Sequence, residues 1–291
     1  MAKIKFKRCA ETDFTESKLP HNRKEVFFDC FKLRWREFLK LGAIILLSML
    51  PILLICVVRD NLIADAIQNT DSLKSAEFVL LLSDVLCIPM YLLSSVAFSG
   101  AFRVIKNIAW GDIVFFSSDF KDGIRLNFKV FSPVFLLVGT GIFFVDFAML
   151  HSNAEILKGI PLGLSAFLLM PIAILVIVQG TIYSLSFFGA LKNAVYLFLR
   201  SPISSAIASI LTLSPSLFIV VSNTVVKHVI LALYFMIIFP YVCLGVFLFG
   251  CTVLDKHYNP IYHTEIIGKG IAPISEDFAD DDEDVNSTDD D

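Results

Sequence analysis

The stretch Leu41–Val58 reads LGAIILLSMLPILLICVV, eighteen residues without a charge. At ~1.5 Å of rise per residue an α-helix of this length covers about 27 Å, close to the ~30 Å of hydrocarbon that a spanning helix must cross. Backbone N–H and C=O groups find no water there, so such a run reads as a membrane helix. Five other runs match it, and the predicted spans are 38–58, 78–102, 130–150, 161–184, 203–222 and 229–252. The fifth is diluted by Ser204, Ser205, Ser209, Ser214 and Ser216, and Pro215 interrupts its hydrogen bonding. Were it only to dip into the membrane, the C-terminus would lie outside.

Composition agrees. The 291 residues are 56% hydrophobic and 18% charged, against ~25% charged in soluble domains. The net charge of −4 conceals an asymmetry: Glu276–Asp291 holds ten carboxylates and no base, which leaves 18 acids against 24 bases elsewhere, a surplus of six positive charges. The expected organisation is a basic N-terminal segment over 1–24, a membrane domain over 25–255 and an acidic, disordered tail over 256–291, since like charges this dense resist compaction. The first residues are polar and basic, so no secretory signal is expected. The six cysteines, four of them inside apolar runs and none in a C-x-x-C spacing, read as reduced packing residues.

Orientation follows from Lys and Arg, which are retained in the cytoplasm. With the N-terminus inside, 20 bases fall in inner segments and only Arg59, Lys74, Lys158 and Lys227 in outer ones. Both termini are therefore expected in the cytoplasm. The fold expected is all-α: a polytopic membrane protein of about six transmembrane helices in three in-out hairpins, each entered through an amphipathic helix. The entry segments are Val26–Lys40, Asp119–Phe131 and Phe187–Arg200, the last two leading into Ser132-Pro133 and Ser201-Pro202. In the first, Phe27, Phe31, Trp35 and Leu39 recur every four residues, predicting a helix flat on the inner leaflet. Trp35 and Trp110 are the expected headgroup anchors, with Arg34 and Arg36 near anionic lipid.

The stretch Trp110–Leu150 combines Trp-Gly-Asp, Phe115-Phe116, Asp119-Phe120, Gly123, Asn127-Phe128-Lys129 and a long apolar helix bearing Asp146. With Leu50-Pro51 and the run Pro89–Ala101 leading into Arg103, this pattern over about residues 25–200 resembles the YesL-like membrane proteins, a bacterial family catalogued mainly as a domain of unknown function. The resemblance implies a bacterial plasma-membrane protein, in several cases accompanying carbohydrate ABC importers, and supplies no functional residues.

Charges within a membrane helix cost ~2.5–3.5 kcal/mol on insertion scales and are functional candidates by default. Asp84 and Asp146 lie at similar depth near the outer side of adjacent spans, and are candidates for a cation or solute site together with Gln179. Alternatively the two acids are hydrated, or paired with Lys74, Lys158 or His151, and Gln179 joins Ser95, Ser99, Gly139, Gly141, Gly159 and Gly163 in serving helix contacts. No H-E-x-x-H, G-x-S-x-G or Walker A pattern occurs and the five histidines have no metal-ligand spacing, so no enzyme, metal or cofactor is expected, nor a nucleic-acid partner. The expected partners are the lipid bilayer and, through the resemblance, ABC importer subunits. The leading expectation is an accessory of a solute importer, and the alternative a transporter acting through Asp84 and Asp146.

Overall fold

Three helices of 35, 37 and 36 residues frame the molecule in a computed structural model: α2 (Trp35–Asn69), α3 (Leu73–Ala109) and α4 (Phe116–His151). Residues 20–271 are described, apart from 70–72, 152–154 and 222; the residues before Pro20 and the acidic stretch Glu276–Asp291 lie outside them, whereas 256–266 of the tail expected to be disordered complete α10 and form a helical turn and a 3₁₀ turn. At ~1.5 Å per residue each of the three is over 50 Å long, so each overruns a ~30 Å hydrocarbon layer. The short helix α1 (Arg23–Leu33) precedes them. After them come α5 (Glu155–Leu164), a π-helical turn Ser165–Leu169 and α6 (Met170–Ile182), which together form one rod. The chain continues through α7 (Phe187–Arg200), α8 (Pro202–Thr212), a 3₁₀ segment Ser214–Val220, α9 (Thr224–Ile237), α10 (Phe239–His257) and the single turn α11 (Asn259–Tyr262). No strand occurs among the described residues. Five of these units are long and apolar enough to cross a membrane, and α7–α8, bent by 111°, makes a sixth if counted as one span. The protein is thus an all-α polytopic membrane protein.

Adjacent long helices pack antiparallel through small residues. A β-carbon on Gly123 would lie 2.6 Å from Arg103 Cβ and 2.8 Å from Ser99 O, so α3 and α4 cross almost backbone to backbone. One turn on, Asn127 Nδ2 donates to Ser99 O at 3.2 Å. Gly139 faces the Tyr91 ring and Gly141 faces Leu169, as the helix-contact reading expects. Gly159 and Gly163 instead face open space.

The entry segments differ from one another. The third is α7, which buries Ala190, Ala194 and Leu197 on one face before Ser201 leaves the helical region and Pro202 opens α8. The second is not separate: α4 runs through Ser132-Pro133, because Val130, Phe131 and Val134 are buried against the neighbouring helices and hold the backbone helical. The first is cut at Arg34 (φ −118°, ψ 21°), which changes the phase of its four-residue repeat. As a result Val26, Cys30, Phe38 and Leu41 are buried while Phe31 and Trp35 stay about half exposed.

The late spans are broken where proline removes a donor. Pro215 cannot bond the carbonyl of Leu211, and the Ser214 hydroxyl donates to that oxygen instead, at 2.6 Å, as α8 gives way to the 3₁₀ segment. The run expected as one helix over 229–252 is two, meeting at Ile238. There Pro240 frees the carbonyl of Met236, and Gly42 of α2 packs directly on it: a β-carbon at Gly42 would sit 1.8 Å from Met236 O.

Helix α10 is the most enclosed span, with Leu244, Phe247 and Leu254 wholly buried. At its end Asp255 accepts from Arg23 Nη2 at 2.7 Å, and Arg23 Nη1 donates to Lys269 O at 2.6 Å. The described ends of the chain therefore lie on one side, called here the terminal end. Asn259 Nδ2 donates to Asp255 Oδ1 at 2.7 Å, and Asn259 Oδ1 accepts from the Tyr183 hydroxyl. The Trp110 ring is covered by two ammonium groups, Lys106 at 4.7 Å and Lys269 at 4.4 Å, so this expected headgroup anchor packs within the protein.

Gly42→Ala forces α2 and α9 apart and is expected to lower stability by about 1–3 kcal/mol, the usual range for overpacking. Gly159→Ala, facing open space, should leave it unchanged or slightly raised. Thermal unfolding of the two variants in detergent checks both.

Candidate functional site

At the end opposite the termini, α2, α4 and α9 bring charged side chains together. Arg59 was expected in an outer loop, but α2 continues to Asn69 and holds it within the helix. Its Nη1 lies 2.6 Å from Asp146 Oδ2 of α4, and its Nη2 lies 3.3 Å from Asp60 Oδ1. Asp60 in turn accepts from Lys227 Nζ of α9 at 2.6 Å. These side chains are 18–27% exposed, too enclosed for water to replace a lost partner fully.

Arg59, Asp60 and Asp146 line a cavity of about 430 Å³ that is walled above by Ile63, Ala64, Met149 and Leu150 and bounded on α3 by Leu80. Asp84 lies one turn further along α3, toward the middle of the bundle, ~6 Å deeper along the helix. The charges close enough to act on it are those of Arg59 and Asp146. Its Oδ2 is buried and has no hydrogen-bond partner. The cavity thus carries an ion pair in its wall, and a carboxylate oxygen without a donor lies within electrostatic range of that pair.

Asp84 therefore lies within electrostatic range of Asp146 and Arg59, a turn deeper than the cavity these two line. His151 is engaged elsewhere, its Nε2 lying 2.7 Å from Glu77 Oε1. Gln179 is far from the two acids: the neighbouring Gly180 packs on Val130, 16 residues and ~24 Å along α4 from Asp146. It is wholly buried, donating to Leu175 O at 3.1 Å and Ala190 O at 3.4 Å, which makes it a link between α6 and α7. At the terminal end Arg34, Trp35 and Arg36 are exposed, and the Arg36 guanidinium lies 5.5 Å from the Trp35 ring. Among the described residues no group of three His, Cys, Asp or Glu side chains is placed to hold a metal ion. Arg59 and Lys227 had a signal in the sequence, each a lone base bordering a long apolar run, but which acids they would meet depends on helices 87 and 167 residues away.

The chain matches no family model, no curated protein and no solved structure in the three comparisons made.

Asp146→Asn leaves Arg59 without its closest partner. The expected loss lies between the ~1 kcal/mol of an exposed pair and the ~3–5 kcal/mol of a fully buried one. Combining it with Arg59→Gln should recover part of that loss, and a double-mutant cycle of unfolding free energies in detergent measures the coupling.

Proposed function

We propose that the chain is a multi-pass plasma-membrane protein of the transport class that binds a proton or a small cation at Asp84, beside the Arg59–Asp146 pair. The observation that carries this reading is the buried Asp84 Oδ2 without a hydrogen-bond partner. Leaving such an oxygen unsatisfied costs ~1–3 kcal/mol, and more when it is charged, so the site is completed by whatever neutralises it. The local inventory points the same way. Two bases, Arg59 and Lys227, face three acids, Asp60, Asp84 and Asp146, so full ionisation leaves one negative charge unbalanced. The excess of Lys and Arg in the segments at the terminal end supports a cytoplasmic placement of that end, with the cavity opening outward.

The YesL-like pattern over Trp110–Leu150 favours a second reading, in which the chain is a non-enzymatic accessory of a carbohydrate or other solute ABC importer in a bacterial plasma membrane. Stoichiometric recovery of importer subunits with the tagged chain, purified gently from its host, selects that role.

The primary reading is tested in liposomes containing the purified chain alone. An imposed cation or proton gradient should be dissipated by the wild type, followed with a pH-sensitive dye and radioactive sodium, and Asp84→Asn should abolish the flux. Identical traces from Asp84→Asn and wild type would sink the assignment.

A further inference from the structure

We propose a binding site for an anionic phospholipid in the lateral groove between α1 and α10, at the terminal end. The groove encloses about 430 Å³, within the ~300–1,000 Å³ of small-ligand pockets. Its walls are Phe27 and Phe28 of α1 and Leu248 and Phe249 of α10. Gly245 lines the groove, and a β-carbon there would meet nothing nearer than Phe27 Cε2 at 3.9 Å, so the space beside it is open. Phe28 is 58% exposed, a large aromatic face left uncovered by the protein.

Polarity changes along the groove. Lys24 lines one end, and Lys256 lies one turn beyond the groove-lining Thr252 on the same face of α10. Both lysines are exposed and have no ion-pair partner among the described residues. Of the carboxylates nearby, Asp255 is already engaged by Arg23 and Asn259, and Glu25 by the His21 N–H and Asn22 Nδ2. Arg23 itself lines the groove, and its Nε is buried without a hydrogen-bond partner although both terminal nitrogens are used. A cationic end with a free buried N–H, continuing into an aromatic channel, complements a molecule with a phosphate at one end and an alkyl chain at the other. Basic pockets between helices on the cytoplasmic side bind anionic headgroups in this way. Inorganic phosphate would leave the phenylalanines uncovered, and a neutral lipid would leave the lysines unpaired.

The full chain, purified and stripped of lipid in a neutral detergent, is titrated with phosphatidylglycerol, with phosphatidylcholine of the same acyl chains, and with glycerol phosphate. Native mass spectrometry counts retained lipid and thermal unfolding reads the stabilisation. Phosphatidylglycerol should be retained and raise the unfolding midpoint, while the other two do neither. Lys24→Gln with Lys256→Gln, both at exposed positions, should weaken retention by about tenfold or more. Gly245→Leu, which fills the groove and keeps every cation, should weaken it as well. Equal stabilisation by phosphatidylcholine, equal stabilisation by glycerol phosphate, or undiminished retention in either variant overturns the proposal.

Discussion

Hydrocarbon offers no hydrogen bonds, and that single restriction governs how this chain is built. Each peptide group inside the bilayer must find its partner within the protein, which is why apolar runs become helices and why their interruptions are so closely managed. Pro215 strands the carbonyl of Leu211, and the hydroxyl of the preceding serine turns back to meet it. Pro240 strands that of Met236, and the bare backbone of Gly42 moves in against it. Near Pro171 the rod of α5 and α6 passes through a π-helical turn, a local change of winding at a residue that cannot donate.

The first four spans were legible because their signal is compositional, whereas the runs 203–222 and 229–252 are each broken, into α8 and a 3₁₀ segment and into α9 and α10. What escaped depends on tertiary packing. Hydropathy sees where α2 leaves the bilayer near Val58 but not that it stays helical to Asn69, a length supported by contact with α3 and α9. Arg59 therefore looked like a loop residue. The second entry segment has the same Ser-Pro step as the third, yet one continues a helix and the other ends one, since only in the first does buried packing flank the proline. Counting along antiparallel helices put Asp84 and Asp146 near one another, but it did not show that Arg59 is the partner of Asp146 or that Asp84 lies a turn below the cavity.

The two ends of the bundle use charge differently. Near the termini a guanidinium, a carboxylate, an amide and a phenol form a chain of bonds, Arg23 to Asp255 to Asn259 to Tyr183, that fixes α1, α6 and α10 relative to one another. At the opposite end Arg59 links α2 to α4, while the third helix of the group contributes an acid that receives no donor. The first chain joins three helices bond by bond, whereas Asp84 Oδ2 is buried beside its ion pair with no donor of its own.

The Arg23–Asp255 contact also has a meaning in time. It joins residues 232 positions apart, and at synthesis rates of ~5–20 residues per second the first partner emerges on the order of tens of seconds before the second. Through that interval α1 exists without α10 and cannot yet enclose Val26 and Cys30 in their final surroundings. Only when α10 arrives can Arg23 meet Asp255, so this end of the bundle closes after every span that precedes α10 has been made.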